Sequence, residues 1–240
     1  FLSHGIHVLA EKPLAFNYEQ SSQLVELAKQ NNCILAVGLY RRLYSSLALL
    51  KDHIQQAEFG AVQGFEFNWG DFYSWSATSL GNMIKSQAGG GVLMDLGPHA
   101  LDWLTYLFGG EVSLLSYIDD AKGGIEADCS LHLQFDVVGA NVEGHLNLSR
   151  IRQLGGELTV EFEKAKIVLR VGERYDLTIY PKQSELSEPV KYNARYNHQE
   201  NENWFEAFKK EFDDFAESIK GSSDNKLSGL SVLPAMKIID

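Results

Sequence analysis

Two short segments of the chain carry side chains that could do acid–base chemistry. The first is Glu11-Lys12-Pro13, which stops the apolar run from Ile6 to Ala10. Pro13 has no N–H and a fixed φ, so a strand that ends there presents Lys12 from a rigid backbone. Ligands of open parallel sheets bind beyond the carboxyl ends of the strands. Lys12 is therefore a candidate catalytic residue. A solvated loop charge is the competing interpretation, and these residues alone favour neither.

The second segment places Asp95, His99 and Asp102 at the spacing i, i+4, i+7, which is one face of a helix. Asp95 could hold one imidazole nitrogen of His99 while the other takes a proton from a substrate hydroxyl. The competing interpretations are a helix-capping aspartate and a core histidine. Pro98 is tolerated in the first turn of a helix, so it predicts a helix that starts near Leu96 with Asp95 near the N-cap.

Other residues of this region suggest weaker possibilities. The three side chains just named could hold a metal ion by spacing, but no further histidine or cysteine lies nearby, so a metal-free site is favoured. The glycines Gly89 to Gly91 suit a close approach of the backbone to a ligand. Tyr73 and Trp75 precede those glycines and could stack on a sugar ring, or they could be ordinary surface-loop aromatics.

The elements around Lys12 predict a parallel strand–helix–strand unit. Ile6 to Ala10 and Cys33 to Val37 are short continuous apolar runs, which is typical of strands covered on both faces. Between them, Tyr18 to Gln30 has an apolar stripe at helical spacing, and Asn17 is a suitable N-cap. Residues 1–40 are therefore interpreted as the remnant of a parallel α/β domain.

Residues 41–240 predict an α+β domain with a large, mainly antiparallel open sheet. From Val62 onward, apolar and polar residues alternate strictly, which indicates strands with one buried face and one wet face. A helix is predicted over Leu96 to Phe108 and another from Trp204 to Ile219. The predicted inward positions are Phe65, Phe67, Trp69, Leu131, Leu133, Phe135, Val142, Gly144, Leu146, Leu148, Leu158, Val160 and Phe162.

Composition narrows the class of partner. The 240 residues carry a net charge of −11, which argues against nucleic acid or an anionic membrane as the main partner. No apolar run approaches the roughly 20 residues needed to span a bilayer. Cys33 and Cys129 have no disulfide or zinc spacing and predict buried free thiols in a reducing compartment, the cytoplasm.

The predicted wet face of the sheet carries few charges in several strands. Its polar residues are His132, Gln134, His145 and Asn147. A single open sheet keeps one face exposed unless helices or a partner cover it. The sequence therefore predicts a homodimer or homotetramer that associates through the open sheet.

Three segments together resemble the signatures of the Gfo/Idh/MocA family, the nicotinamide-dependent oxidoreductases that include glucose–fructose oxidoreductase and inositol dehydrogenase. The segments are "HVLAEKPLA", "VGLYRRL" and "GGGVLMDLGPHALDWLTYLFG". The resemblance implies a Rossmann domain followed by a domain with a large, mainly antiparallel sheet. It also implies that Lys12, Asp95 and His99 are the catalytic residues.

The same resemblance implies the cofactor contacts. It places Glu11, Lys12 and Pro13 against the nicotinamide end of NAD or NADP, and Arg42 near the cofactor or substrate. The family opens with a glycine-rich fingerprint, and no G-x-G-x-x-G occurs in this chain. We expect a family member clipped at both ends that lacks the first part of its Rossmann domain. As given, the chain should neither bind the cofactor tightly nor turn over.

The activity implied by the resemblance is hydride transfer between the cofactor and a hydroxyl or ketone of a sugar, cyclitol or related polyol. His99, oriented by Asp95, would take the hydroxyl proton, and Lys12 would hydrogen-bond the same oxygen. Two alternatives stay open. One is a catalytically silent, dinucleotide-sensing regulatory protein of the same fold. The other is a branch that oxidises its substrate transiently during glycoside cleavage.

Overall fold

The computed structural model describes residues 1–74, 84–137, 140–182, 188–193 and 205–240. Its first part is the predicted parallel unit, in which strand β1 (Val8–Ala10) pairs with β2 (Leu35–Val37) and helix α1 (Tyr18–Gln30) connects them. The side chain of Asn17 accepts a hydrogen bond from the N–H of Gln20 at 2.9 Å, which confirms the predicted cap. Each strand begins two residues later than predicted.

The second part is the predicted α+β region. One eight-stranded sheet has the order β10-β9-β8-β7-β3-β6-β5-β4, and β3 and β6 are its one parallel pair in the described residues. The elements are α2 (Ser45–Gln55), β3 (Val62–Gly70), α3 (Lys85–Ala88), α4 (Val92–Phe108), β4 (Glu111–Asp119), β5 (Asp128–Val137), β6 (Ala140–Ser149), β7 (Glu157–Phe162), β8 (Ala165–Arg170), β9 (Asp176–Pro181), β10 (Val190–Asn193), α5 (Phe205–Lys220) and α6 (Leu233–Ile239).

The alternation of the strands gives the sheet one buried face, as predicted. Twelve of the thirteen predicted inward positions are buried, and Trp69 is partly buried against the same core. Helix α4 packs on β5 and β6, α2 on β8 and β9, and α6 on β4. The helices thus cover the apolar face, which places one core between them and the sheet.

The opposite face carries the predicted polar side chains. His145 is exposed, and His132, Gln134 and Asn147 are half-buried. The rings of His132 and His145 stack with their centres 4.5 Å apart.

The two cysteines differ in exposure. Cys129 is buried and Cys33 is half-buried, and both are free thiols. In the described residues, no helix is both long and apolar enough to cross a membrane.

The C-terminal residues return to the small sheet. Leu227, Val232 and Met236 are buried in the same cluster as Leu35 and Val37 of β2. This second core therefore combines the two ends of the chain, and the division after residue 40 stays a prediction.

Helix α4 begins at Val92, four residues before the predicted start near Leu96. Its N-terminus is capped by a residue far along the chain, because Oε1 of Glu126 accepts the N–H groups of Gly91 and Leu93 at 2.9 Å each. A Cβ on Gly91 would lie 1.8 Å from the carbonyl oxygen of Glu126. Gly91 therefore has no room for a side chain, because the backbone of Glu126 passes directly beside it.

The prediction that Asp95 lies near the N-cap was wrong, because Gly91 occupies the N-cap and Glu126 accepts the N–H groups there. Asp95 lies in the first turn of α4, and Pro98 lies inside the helix. The expectation that Pro98 marks the helix start failed because α4 is buried on most of its surface. Tertiary packing there outweighs the loss of one helical hydrogen bond.

Candidate active site

Lys12 and Asp95, which the sequence named separately, meet in the structure. Lys12 follows the carboxyl end of β1, and its Nζ donates to Oδ1 and to the carbonyl oxygen of Asp95, both at 2.9 Å. The two side chains are 20% and 42% exposed. The pair therefore joins the small parallel sheet to helix α4 while it stays open to solvent.

A third charged residue, Arg150, completes this group. The parallel strands β3 and β6 end side by side, with Gly70 paired to Ser149, and Arg150 follows directly. Its Nη2 lies 2.5 Å from Oδ2 of Asp95, and its guanidinium lies 5.1 Å from the ring centre of Tyr73. Sequence reasoning missed Arg150, because its position depends on the pairing of two strands that are distant along the chain.

The two cations determine the charge state of Asp95. Burial acts to raise the pKa of Asp95, but the charges of Lys12 and Arg150 outweigh it and hold that pKa below its ordinary value. Asp95 is therefore ionised at neutral pH.

These three side chains border a cavity of about 340 Å³, a volume in the range of small-molecule sites. One wall is aromatic, from Trp69, Phe72 and Tyr73. Rings beside charged hydrogen-bonding groups suit a ligand with apolar ring faces and many hydroxyls. The predicted position of Tyr73 is compatible with a substrate contact, which stays a prediction, and Trp75 lies outside the described residues.

His99 lies behind this cavity and does not border it. Its ring centre is 6.0 Å from that of Trp69, and its Nδ1 is buried without a hydrogen-bond partner in the described residues. Burial, with the charges of Arg41 and Lys12, lowers the pKa of His99 to about 3, although Asp95 partly offsets this. The predicted Asp95–His99 hydrogen bond is absent, and the carboxylate oxygens of Asp95 face Lys12 and Arg150 instead.

Arg41 is a second residue that the sequence reasoning missed. Its guanidinium lies 5.0 Å from the ring centre of Trp69 and 5.4 Å from that of Tyr40. Its Nε and Nη1 are buried and have no hydrogen-bond partner in the described residues. The family resemblance named its neighbour Arg42 instead, and neither arginine borders the cavity.

Arg42, expected near the cofactor or substrate, is engaged inside the protein. It pairs with Asp102 through Nε at 3.1 Å and through Nη2, and its Nη1 donates to the carbonyl of Lys226 and to Ser231. Arg42 is 7% exposed and does not border the cavity. The structure therefore makes it a cross-link between three segments.

Asp102 thus belongs to a different group from Asp95, although both lie on α4. The metal site weighed from spacing would need these two carboxylates beside His99. In the part of the chain that the structure describes, no three His, Cys, Asp or Glu side chains are grouped to hold a metal ion.

The carboxyl ends of β1 and β2 form the kind of edge at which open parallel sheets bind dinucleotides. Glu11 follows β1 and Gly38 follows β2. A Cβ at Gly38 would lie 3.2 Å from Glu211, 3.3 Å from Glu11 and 3.4 Å from the carbonyl of Ala10, so glycine keeps this edge open. The sequence contains no glycine-rich phosphate cradle. The residues present therefore suit the part of such a cofactor that reaches Lys12, and not its pyrophosphate.

Comparison with known proteins matches two family descriptions to this chain. "Oxidoreductase family, NAD-binding Rossmann fold" matches residues 1–39, and "GFO/IDH/MocA C-terminal domain" matches residues 47–168. The chain belongs to the GFO/IDH/MocA family. This confirms the resemblance of the three signature segments, and the Rossmann-like remnant with its large antiparallel sheet confirms the predicted fold.

Curated relatives are similar over part of the chain. Scyllo-inositol 2-dehydrogenase (NADP(+)) of Bacillus subtilis is 24% identical over 140 residues, which cover 57% of this chain and 42% of the relative. Levoglucosan dehydrogenase of Pseudarthrobacter phenanthrenivorans is 31% identical over 109 residues, which cover 44% of this chain and 27% of the relative. The chain thus spans less than half the length of these relatives.

Solved structures support the fold. An inositol dehydrogenase homolog from Azotobacter vinelandii in complex with NAD+ superposes with a TM-score of 0.84 at 17% identity, covering 99% of this chain and 69% of its own. Levoglucosan dehydrogenase with NADH and levoglucosan gives a TM-score of 0.79 at 21% identity, covering 100% and 71%. At these identities the likeness concerns the fold alone.

Proposed function

We propose that the protein is an NAD(P)-dependent oxidoreductase that acts on a hydroxyl or ketone of a sugar, cyclitol or related polyol. The observation that carries this proposal is the position of Lys12. Its Nζ is held by Asp95 at the border of a cavity that also has an aromatic wall. Family membership and the names of the relatives, which are dehydrogenases of an inositol and of an anhydrosugar, support the same reaction class.

A bound nicotinamide would supply the hydride acceptor or donor. Lys12 would hydrogen-bond the reacting oxygen of the substrate and stabilise the charge that develops on it. Asp95 would hold Nζ of Lys12 in place. Glu11 and Pro13, next to Lys12 in the chain, would border the nicotinamide end of the cofactor.

The proton of the reacting hydroxyl is assigned to Lys12 in this proposal. His99 was the predicted base, but its pKa of about 3 makes its protonated form strongly acidic. His99 also does not border the cavity, whereas Trp69, whose ring centre is 6.0 Å from that of His99, does. We infer that His99 acts as a neutral buried group. In the reducing direction the ammonium of Lys12 would give its proton to the ketone oxygen as the hydride arrives. In the oxidising direction the free amine of Lys12 would take the hydroxyl proton as the hydride leaves and then pass it to solvent, while Asp95 stays an anion.

The association of subunits is part of the same proposal. We infer a cytoplasmic homodimer or homotetramer that forms through the open face of the sheet. The stacked pair His132 and His145 and the half-buried Asn147 support contact at this face, and its carboxylates, Glu66, Glu143 and Glu161, would have to be paired or lie at the rim. Replacing His145 by Glu should shift the sedimentation coefficient toward that of the monomer, and an unchanged coefficient would contradict this contact.

The test is nicotinamide reduction by the product of the full gene with a panel of polyols and anhydrosugars. Lys12→Ala should lower kcat/KM by about 100- to 1,000-fold, the cost of removing one preorganised donor. His99→Ala should have a smaller effect, and Lys29→Ala on the surface of α1 serves as the control. Retained turnover in Lys12→Ala would overturn the mechanism. Cofactor binding without turnover on any substrate would favour the regulatory alternative.

A further inference from the structure

We propose that Arg150 is the positioning residue of this site, which acts through Asp95 on Lys12. Its role rests on the division of one carboxylate between two cations. Oδ2 of Asp95 lies 2.5 Å from Nη2 of Arg150, and Oδ1 lies 2.9 Å from Nζ of Lys12. The three side chains therefore form a chain of charges in which Lys12 stands at one end and Arg150 at the other.

A carboxylate held at one oxygen can turn about its terminal bond, and this bond has broad torsional freedom in aspartate. Asp95 is 42% exposed at its side chain, so packing alone does not hold it. Contact with Arg150 at the second oxygen removes this freedom. The first oxygen is then directed at Lys12, so that Nζ keeps one place at the border of the cavity.

Arg150 itself is well fixed for this purpose. Its N–H donates to the carbonyl of Ala127 at 2.8 Å, and its carbonyl accepts the N–H of Tyr73 at 2.9 Å. The side chain of Arg150 is 21% exposed, and its guanidinium lies over the ring of Tyr73. The residue therefore connects the end of β6 and the loop after β3 to helix α4.

The titratable groups near Asp95 come from several elements. Lys12 follows β1, Arg150 follows β6, and His99 lies one turn along α4. Asp71, in the loop after β3, borders the same cavity. Without Arg150, Lys12 would be the single cation among the described residues in direct contact with Asp95, and the aspartate would take up a proton more readily.

The kinetic arm of the test rests on the proposed function. In the product of the full gene, Arg150→Met should lower kcat by about 10- to 100-fold, since misplacement of a reacting group costs up to this much. KM should change far less. The acid limb of the kcat–pH profile should move to higher pH. Arg150→Lys should recover part of the lost kcat and move the acid limb part of the way back. The matched control is Arg152→Met, because Arg152 pairs with Asp128 at the surface two residues further on.

The second arm is independent of turnover. The carboxyl signal of Asp95 is followed by NMR titration of aspartate-labelled protein and assigned with Asp95→Asn. Arg150→Met should raise the pKa of Asp95, Arg150→Lys should raise it less, and Arg152→Met should leave it unchanged. If Arg150→Met does not fold, the wild type and Arg150→Lys still give the comparison.

The two arms separate the outcomes. An increase of KM with unchanged kcat in Arg150→Met would make Arg150 a substrate-binding residue and overturn the positioning role. An unchanged pKa of Asp95 in the folded variants would overturn it as well. If the wild type turns over none of the polyols, the proposed function fails, and the titration still decides the role of Arg150.

Discussion

Helix α4 carries two aspartates on one face, seven residues apart, that have different surroundings in the structure. Asp95 contacts Lys12 and Arg150 at the border of the cavity, and its side chain is 42% exposed. Asp102, two turns further on, pairs with Arg42 and is 2% exposed. Equal spacing along one helix face therefore does not mean equal surroundings, because the elements that cross the helix differ at each turn.

The difference appears in the direction of the two pKa shifts. Burial raises the pKa of Asp102, and the single charge of Arg42 offsets only part of this effect. The pKa of Asp95 is lowered instead, because two cations act on a carboxylate that keeps contact with solvent. Two cations beside a half-exposed carboxylate keep Asp95 ionised at neutral pH. A single arginine beside a buried carboxylate, as at Asp102, forms a structural ion pair instead.

The largest expected effect comes from breaking the buried pair. Arg42→Met should lower the free energy of unfolding by about 3–5 kcal/mol, because it leaves the buried carboxyl of Asp102 without its ion-pair partner. Urea unfolding measures this loss. Arg152→Met removes an exposed partner of Asp128 and should cost about 0–1 kcal/mol. Equal losses in the two variants would show that Arg42 is not a buried structural link.

Removing both charges of that pair sharpens the comparison. Arg42→Met combined with Asp102→Leu should recover much of the loss and end within about 2 kcal/mol of the wild type, since apolar residues often replace a buried ion pair at little cost. A double variant as unstable as Arg42→Met would mean that the contacts of Arg42 with Lys226 and Ser231 dominate instead.

The features that could be predicted are those determined by neighbours along the chain. Asn17 caps α1 because the cap needs a side chain and the N–H three residues on. The alternation in "FEFNW" assigned Phe65 and Phe67 to the core face, since a strand has only two faces. The end of the apolar run at Ala10 predicted Lys12 just beyond the carboxyl end of β1, which the structure shows, and its catalytic role stays a prediction.

The features that were missed depend on contacts across the chain. Glu126 caps α4 and moves its start to Val92, which no residue near the helix could indicate. Arg150 reaches Asp95 because β3 and β6 are parallel neighbours. The carboxylate of Asp95 faces two cations and not His99, although the i, i+4 spacing allowed that contact.

At the exposed aspartate, the expected effect on stability is smaller. Asp95→Asn should lower the free energy of unfolding by about 1 kcal/mol near neutral pH, since its partners can turn to water. A carboxyl with a lowered pKa stabilises the fold above its ordinary pKa, and this stability is lost as the pH falls through the folded pKa. The difference between variant and wild type should therefore shrink in acid. A difference that grows in acid would contradict the lowered pKa.

A third carboxyl, that of Glu211, is buried, and no cation among the described residues lowers its pKa. Glu211 is 4% exposed, and burial together with the neighbouring carboxylate of Glu11 raises its pKa to about 7. A raised carboxyl pKa means that the folded protein holds the proton more tightly than the unfolded chain. Stability should therefore fall as the pH rises from about 4.5 to about 7 and change little above that range.

Glu211→Gln should abolish this decline, since a neutral amide replaces the titrating group. In mildly alkaline buffer the variant should be more stable than the wild type by about 1 kcal/mol, a value reduced for partial access of solvent. The control is Glu217→Gln on the exposed side of the same helix, whose lowered carboxyl pKa lies below this range. Thermal unfolding across the range measures all three proteins. If stability still falls over this range in Glu211→Gln, another group titrates there. The raised pKa of Glu211 would then be contradicted, and with it the contrast between Glu211 and Asp95.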